Sequence, residues 1–310
     1  MTFKNILFIS YVYTHLHFYC FLLHLKPPPT KMVGTHLSIF KPNLSRPPTT
    51  PTPSHRSTII SAVHVAQNLS YFDTIHSDID SHLKNSITIR QPTAVFEPMH
   101  HFTFSAPKTA AAALCVAACE LVGGSRQDAI VAASAIHLVH AAAYTHDHLR
   151  LTHRVWSEPG PEIPHRYGSN VELLIGDGIM PFGFELLARS MDPAGENSGK
   201  LLRVIVEITR AVGAEGMVAG QGYENGQPAR RLHGCGAACG AILGGGNEEE
   251  IGRLKRYGVY VGKIQGLLSQ LGESGGDKLQ LLEKWRGLAL KELECFESRQ
   301  IERISTIVGV

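Results

Sequence analysis

The chain has 310 residues, of which 44% are hydrophobic and 18% are charged, so it can bury a large core and is not a disordered protein. The formal net charge of +2 averages two unlike parts. Residues 1–72 contain six Lys or Arg and no Asp or Glu, which leaves 23 basic against 27 acidic residues in the rest. That acidic remainder has no cluster of cationic and aromatic residues, which excludes a nucleic-acid-binding protein.

The amino-terminal segment has the composition of a targeting sequence. Residues 32–70 are rich in Ser, Thr and Pro and contain no acidic residue, which is typical of a plastid transit peptide. Residues 6–24 are apolar and aromatic, but three histidines and the prolines at 27–29 interrupt a clean membrane span. A linker behind a membrane anchor is the alternative. We predict a transit peptide and disordered leader over residues 1–70, in which residues 1–31 are an upstream extension of the gene model or a variable leader. We expect no membrane span in the mature protein.

Residues 71–310 predict an all-α domain of eight to ten helices without a sheet. Apolar residues recur at intervals of three and four in long stretches without proline. The predicted helices span residues 109–122, 126–149, 170–190, 199–219, 247–271 and 276–297. The glycines at 123–124 and 244–246 mark helix ends. Residues 127–149 are apolar on nearly all sides and are expected to lie at the centre of a bundle. The proline-rich stretch 154–168 is predicted to be a loop at the rim of a pocket.

Five blocks of sequence resemble the plant trans-isoprenyl diphosphate synthases in order and spacing. They are LCVAACELVGG (114–124), HLVHAAAYTHDHL (137–149), GDGIMPFGFELLA (176–188), GAEGMVAGQ (213–221) and GAILGGGNEEE (240–250). The resemblance covers residues 72–297 and implies an isoprenoid-synthase-type helical bundle around a central cavity. In that family, two aspartate-rich motifs face each other and hold Mg²⁺ on an allylic diphosphate, because a highly charged diphosphate needs several hard oxygen ligands.

The chain departs from the family at both aspartate motifs. The active first motif reads DDLPCMD, where this chain has DHLRLTH, and the second reads DDILD, where this chain has SQLGE. The altered or remaining positions of the two motifs are Asp147, His148, His153, Ser269, Gln270 and Glu273. Only Asp147 and Glu273 are carboxylates, and two separated carboxylates do not hold the Mg²⁺ ions that a diphosphate requires. Imidazole suits zinc, copper or nickel far better than magnesium.

Other positions that handle diphosphate in the family have also changed. The family loop GGKRxRP matches APKTAAA at 106–112, which keeps Lys108 and lacks both arginines. The family Lys-Thr pair falls on Pro228 and Ala229, and His140 matches a family histidine near the diphosphate. One Lys and one His make a poor anion site compared with bidentate Arg clamps. The resemblance therefore implies a member that kept the fold and lost the reaction, with no catalytic residue and no metal or cofactor of its own.

Two cysteine pairs have CxxxC spacing, which puts both sulfurs of a pair on one face of a helix. They are Cys115 with Cys119 and Cys235 with Cys239. Six cysteines in all are too few for a secreted disulfide scaffold, so we expect a reducing compartment. For either pair alone, packing as a small hydrophobic residue is the alternative. Both pairs together, on a chain that has lost its diphosphate residues, resemble the small subunits of plant heterodimeric geranyl(geranyl) diphosphate synthases.

This resemblance implies a non-catalytic regulatory subunit of plastid isoprenoid biosynthesis. It would bind a catalytic geranylgeranyl diphosphate synthase large subunit through the four cysteines, as a heterodimer or higher assembly, with Mg²⁺ on the catalytic partner. It would alter the length of the product or the activity, and both geranyl and geranylgeranyl diphosphate remain open as the product. The main alternative is a weakly active Mg²⁺-dependent short-chain prenyltransferase with degenerate motifs. A metal-binding protein is a further alternative, suggested by His137, His140, His146, His148 and His153.

Overall fold

Ten α-helices and no strand make up the part of the chain that the computed structural model describes, namely residues 55–149, 166–191, 197–213, 229–269, 276–296 and 298–309. The helices are α1 (His55–Ser86), α2 (Thr93–Ser105), α3 (Ala110–Leu121), α4 (Arg126–Asp147), α5 (Ser169–Arg189), α6 (Ser198–Val212), α7 (Ala229–Gly244), α8 (Glu248–Leu268), α9 (Gly276–Leu293) and α10 (Ser298–Gly309). The all-α prediction is confirmed.

The six predicted helices correspond to α3, α4, α5, α6, α8 and α9. Helix α6 ends at Val212 rather than at residue 219, and residues 214–228 lie outside the described part, as does most of the predicted loop at 154–168. Helices α1, α2, α7 and α10 were not among the predicted ranges. Helix α1 belongs to the compact unit Pro53–Val310 and crosses residue 71, the predicted start of the domain. The boundary of the leader stays a prediction.

The helix ends follow from local chemistry. Helix α4 begins with a capping box, in which Ser125 and Asp128 each accept a hydrogen bond from the backbone N–H of the other. Asn247 and Glu250 form the same arrangement at the start of α8. Helices α3 and α7 are followed by glycines with positive φ, +94° at Gly123 and +85° at Gly245, as expected for C-terminal caps. The predicted helix ends at these glycines are confirmed.

Helix α4 lies at the centre of the bundle, as predicted. It packs against α1, α2, α3, α5 and α7. Six of its seven alanines are buried, among them Ala129, Ala132 and Ala141. Such small side chains let the surrounding helices approach on all sides.

In the described ranges no single helix is long and apolar enough to span a membrane, although α2 and α3 would pass that test as a pair bent by 74°.

The contact between α3 and α7 is unusually close. A Cβ atom at Gly240 of α7 would lie 2.8 Å from the carbonyl carbon of Cys115 and 3.0 Å from the nitrogen of Cys119. A Cβ atom at Gly236 would in the same way overlap the carbonyl of Ala111. The two backbones therefore touch, and only glycine fits at these two positions of α7.

Candidate functional site

The described positions of the two altered motifs lie at helix ends, and two of them, His148 and Ser269, form local hydrogen bonds. His148 follows the last residue of α4, stacks on Tyr144 with ring centroids 4.0 Å apart, and donates from Nδ1 to the Tyr144 carbonyl at 2.8 Å. Asp147 ends α4 and is exposed. Ser269 follows α8 and donates from its hydroxyl to the Gly266 carbonyl at 3.1 Å. The remaining motif positions, His153, Gln270 and Glu273, lie outside the described residues.

Lys108, the cation that remains in the altered phosphate loop, is already paired. Its ammonium nitrogen lies 3.0 Å from a carboxylate oxygen of Asp80 on α1. This ion pair neutralises the charge that the family motif would offer to a diphosphate. Since the pair is partly exposed, it contributes little to stability, about 0–1 kcal/mol.

His140 lies in the interior of α4 and is largely buried. The pKa of its imidazole is lowered to about 4, first by burial and then by the nearby His137 and His233, while a hydrogen bond to the Pro107 backbone acts in the opposite direction. Its Nε2 atom is buried and has no hydrogen-bond partner among the described residues. The ring is therefore neutral near pH 7 and provides no positive charge for an anion.

The neighbouring interior histidines are hydrogen-bonded structural residues. His137 donates from Nε2 to the Thr103 carbonyl at 3.1 Å, and burial lowers its pKa. His233 on α7 bonds through Nε2 to the Gln265 side-chain oxygen on α8 at 2.9 Å. Within the described ranges, no three His, Cys, Asp or Glu side chains are grouped as metal ligands. The bond between His233 and Gln265 was not anticipated from the sequence.

All four cysteines of the CxxxC pairs are buried inside this chain. The sulfurs of Cys235 and Cys239 lie 3.8 Å apart, and the sulfur of Cys239 lies 4.0 Å from the carbonyl oxygen of Val204 on α6. The sulfur of Cys119 donates to the Ser125 carbonyl at 3.4 Å. The thiols are free. Because the sulfurs do not reach the surface, any effect on a partner acts through helix packing, and their role in partner binding stays a prediction.

Three of these thiols, those of Cys115, Cys119 and Cys239, are unreactive because their pKa values are raised. Burial raises the pKa of Cys119 to about 12 and the pKa of Cys115 well above the ordinary value for a thiol. The pKa of Cys239 is raised first by its hydrogen bond with Cys235 and then by burial. Since the thiolate is the nucleophile and the metal ligand, these cysteines behave as small apolar side chains.

Helices α5 and α6 expose large apolar side chains that belong to none of the sequence motifs. On α5, Val171 and Leu174 are 38% and 66% exposed. On α6, Leu202 and Val206 are 58% and 39% exposed. The sequence contained a signal for α6, since apolar residues occupy two faces of the helix where one would suffice for burial. Further exposed leucines lie at the end of α8 and along α9, at Leu268, Leu279, Leu281 and Leu290.

A surface cleft of about 510 Å³ lies between α9 and α10. Its lining residues are Glu283, Arg286, Gly287, Leu290, Ser305, Thr306, Val308 and Gly309. None of the predicted site residues lines it. Arg286 donates from Nε to the Val308 carbonyl at 2.8 Å, so its guanidinium is engaged in holding α10.

The chain is similar to several plant proteins in sequence and in structure. It is 47% identical over 262 residues, which cover 77% of this chain and 90% of the relative, to the chloroplastic heterodimeric geranylgeranyl pyrophosphate synthase small subunit 2 of Cannabis sativa. It superposes on the crystal structure of the geranyl diphosphate synthase small subunit of Antirrhinum majus with a TM-score of 0.70 and 50% identity, covering 78% of this chain and 99% of that one.

A further similar structure is a mint deletion mutant of heterotetrameric geranyl pyrophosphate synthase in complex with ligands. The TM-score is 0.66 and the identity 46%, covering 78% of this chain and 99% of that one. No protein-family model matches the chain.

Proposed function

This chain belongs to the family of plant heterodimeric geranylgeranyl diphosphate synthase small subunits, and from that premise we propose that it is a regulatory subunit without prenyltransferase activity of its own. It binds a catalytic geranylgeranyl diphosphate synthase large subunit in the plastid, as a heterodimer or higher assembly, and alters its product length or its activity. The observation that carries the proposal is the loss of carboxylates at both aspartate motifs on a fold that is otherwise kept.

The remaining residues do not fit Mg²⁺, so we assign no step through the metal to this chain. A Mg²⁺ ion takes near-octahedral oxygen ligands, and carboxylates would have to supply several of them to hold it on a diphosphate. The first altered motif offers Asp147 beside His148, whose ring is bonded to the α4 backbone. The second offers Ser269, whose hydroxyl is bonded within its own turn. In this proposal Mg²⁺ belongs to the catalytic partner.

The positively charged residues that would bind a diphosphate are also poorly suited to the task. Lys108 is neutralised by Asp80, and His140 is neutral because burial lowers its pKa. At these described positions, a diphosphate with three negative charges would therefore meet little compensating positive charge, which disfavours binding. If the chain does not bind the diphosphate of an allylic substrate, it cannot promote cleavage of that substrate's carbon–oxygen bond.

We assign the exposed apolar faces of α5 and α6 to the catalytic large subunit. Because the cysteines are interior, they cannot form this surface, whereas Leu174 and Leu202 are more than half exposed. Full burial of such a side chain contributes about 1.5–3 kcal/mol. The two helices also contact each other. Stable subunit interfaces are apolar at their centre, as these faces are.

Regulation then needs only a difference in affinity between two states of the catalytic subunit. A regulatory chain that binds one conformation of its partner more tightly raises the population of that conformation. Coupling of about 1–3 kcal/mol changes an equilibrium roughly 5-fold to 150-fold. This is sufficient to alter the turnover of the complex or the depth of the pocket that measures product length.

The test compares the chain alone, the large subunit alone and the two together. The purified chain from residue 53 onward is supplied with Mg²⁺, isopentenyl diphosphate and each allylic primer, and we expect no product. Mixed with a plastid large subunit, it should co-elute and change the distribution of product lengths or the turnover rate. Turnover by the chain alone at about 1 s⁻¹ or faster would refute the proposal. Slow but saturable turnover that Asp147→Asn abolishes would establish the weakly active enzyme instead.

A further inference from the structure

We propose that a second copy of this chain binds along one edge of α9, with the two α9 helices antiparallel across a two-fold axis. The edge consists of Leu279, Glu283, Arg286 and Leu290, and we call it the α9 edge. The inference goes beyond the proposed function, because it concerns contact between two copies of this chain. It rests on α9 and its neighbours and does not depend on which catalytic protein the chain binds.

The four residues of the α9 edge lie on one face of the helix. Intervals of four, three and four residues place them in a single row along α9. Leu279 and Leu290 are 57% and 46% exposed, and the side chain of Glu283 is 62% exposed. A different face of α9 packs on the bundle, where Leu282 and Ala289 are buried. The helix therefore presents to solvent a second face with a leucine at each end.

The order of residues along the α9 edge is self-complementary. In an antiparallel pair of identical helices, residues at equal distances on opposite sides of the axis face each other. With the axis between positions 284 and 285, Leu279 of one copy faces Leu290 of the other, and Glu283 faces Arg286. Each pairing occurs twice, as a two-fold contact requires. A parallel pair would instead place Glu283 against Glu283 and Arg286 against Arg286, and like charges repel.

The charged residues at the centre of the edge are already held in place. The Arg286 guanidinium donates from Nη1 to Glu283 Oε1 at 2.7 Å and from Nε to the Val308 carbonyl at 2.8 Å. Two such ion pairs meeting at the axis form a square of alternating charge, in which each carboxylate has a guanidinium on two sides. Because the ion pair exists in each separate copy, association orders few additional side chains.

The cleft between α9 and α10 provides a receiving surface for the leucine of the other copy. Leu290 lines this cleft of about 510 Å³ together with Val308 and Gly309, whereas Leu279 lies outside it. In the antiparallel pair, Leu279 of each copy enters the cleft of the other copy beside Leu290. Gly287 also lines the cleft, and nothing lies within 4 Å of the position of its absent Cβ, so a second helix can approach closely there.

The α9 edge is separate from the apolar faces of α5 and α6. Helix α9 packs on α8 and α10, whereas α5 packs on α2 and α4. On the surface that joins α6 to α9, Glu207 of α6 pairs with Lys255 of α8, and Arg256 of α8 pairs with Glu292 of α9. Removing such charges from water is costly, so this strip is not expected to lie in an interface. One chain can therefore bind a catalytic subunit and a second copy of itself at the same time.

The contact is small, so association of the free chain should be weak. Leu279 and Leu290 are eleven residues apart, which is roughly 16 Å along a helix. Stable dimers bury about 1,200–2,000 Å² in total, and one helix pair lies at or below the lower limit. We expect a dissociation constant on the order of 10–100 µM.

Sedimentation velocity of the purified chain from residue 53 onward, at about 1–300 µM, tests the proposal. We expect the wild-type chain to interconvert between monomer and dimer in this range. Glu283→Lys places only cations at the axis, and Leu279→Glu places a charge against the apolar end of the cleft. Each should weaken association about tenfold or more. Leu281→Glu is the matched control, since Leu281 is an exposed leucine of the same helix outside the α9 edge, and it should leave association unchanged.

Cross-linking tests the orientation of the two helices. In a Cys295→Ser background, which removes an exposed native thiol, one chain carries Leu279→Cys and a second chain carries Leu290→Cys. Under oxidation, the mixture of the two chains should form a disulfide-linked dimer faster than either chain alone. Faster linkage within the Leu279→Cys chain alone would show a parallel contact and overturn the inference.

Two further outcomes would overturn the inference. One is a wild-type chain that stays monomeric up to about 300 µM, and the other is equal weakening of association by Glu283→Lys and Leu281→Glu. The Glu283→Lys variant should still bind a plastid large subunit, because the α9 edge is separate from α5 and α6. A wild-type chain that dimerises but binds no large subunit would refute the proposed function and leave this inference standing.

Discussion

Replacement of Gly240 by alanine tests the packing on which the fold of this chain depends. The new methyl carbon would lie 2.8 Å from the carbonyl carbon of Cys115 and 3.0 Å from the nitrogen of Cys119. Real side chains almost never approach other atoms this closely. Because the atoms it meets belong to the α3 backbone, no rotamer change relieves the overlap. Helices α3 and α7 must move apart by roughly 1 Å, which forfeits a quarter to a half of the dispersion energy across the contact.

Two opposing contributions set the size of the effect. Overpacking a core typically lowers the free energy of unfolding by about 1–3 kcal/mol. We take about 3 kcal/mol here, because the backbone of α3 cannot change its conformation to make room. Alanine is about 1 kcal/mol better than glycine inside a helix, which offsets part of that cost. The net expectation is a loss of about 2 kcal/mol. For a domain of this size, it corresponds to a melting temperature lower by about 4–8 °C.

Gly287→Ala on α9 is the matched control. Nothing lies within 4 Å of the position that its new methyl group would take, so only the gain in helix propensity remains. We expect this variant to be more stable than the wild-type chain by up to about 1 kcal/mol. Urea denaturation and thermal melting of both variants measure these changes in stability. If Gly240→Ala stabilises the chain as Gly287→Ala does, the close contact between α3 and α7 does not exist in solution and the reasoning fails.

Three further predictions concern pH, an ion-pair cluster and targeting. The unfolded chain takes up the His140 proton near pH 6.5 and the folded chain only near pH 4, so up to about 3 kcal/mol of stability is lost as the pH falls between these values. Urea denaturation at several pH values across this range should show this loss of stability. In the His140→Leu variant, the part of the pH dependence that comes from His140 should be absent. Arg126→Ala should cost about 1–2 kcal/mol in denaturation experiments, because the guanidinium pairs with both Asp78 and Glu120; no loss would contradict this. A fluorescent protein fused to residues 32–75 should enter plastids, and microscopy showing it in the endoplasmic reticulum would favour a membrane anchor.

The sequence was sufficient for the fold class and for most helices because their signals are local. Apolar periodicity identified α4 and α8, and the glycines at 123–124 marked the end of the helix that precedes α4. The loss of carboxylates could also be predicted, since it concerns residue identity and needs no geometry. For the same reason, the resemblance to the small-subunit family was recognisable from the residues alone.

Helices α2 and α7 were missed because their local signals oppose helix formation. Helix α2 contains Pro98, and α7 has glycine at four of its sixteen positions. Both are stabilised by tertiary packing that the local pattern does not contain. In α7, three of the four glycines that weaken the isolated helix, at 236, 240 and 244, are the residues that allow it to lie close to α3 and the residue that follows α3.

Whether a side chain is buried or exposed was likewise decided only by the tertiary structure. CxxxC spacing put Cys235 and Cys239 on one face of a helix, and that much was readable from the sequence. Whether this face meets solvent, a partner or the interior depends on which helices surround α7. The structure surrounds it with α3, α6 and α8. Helical periodicity is a property of neighbouring residues, whereas burial depends on segments far apart in the chain, so the cysteines became interior and Leu202 became surface.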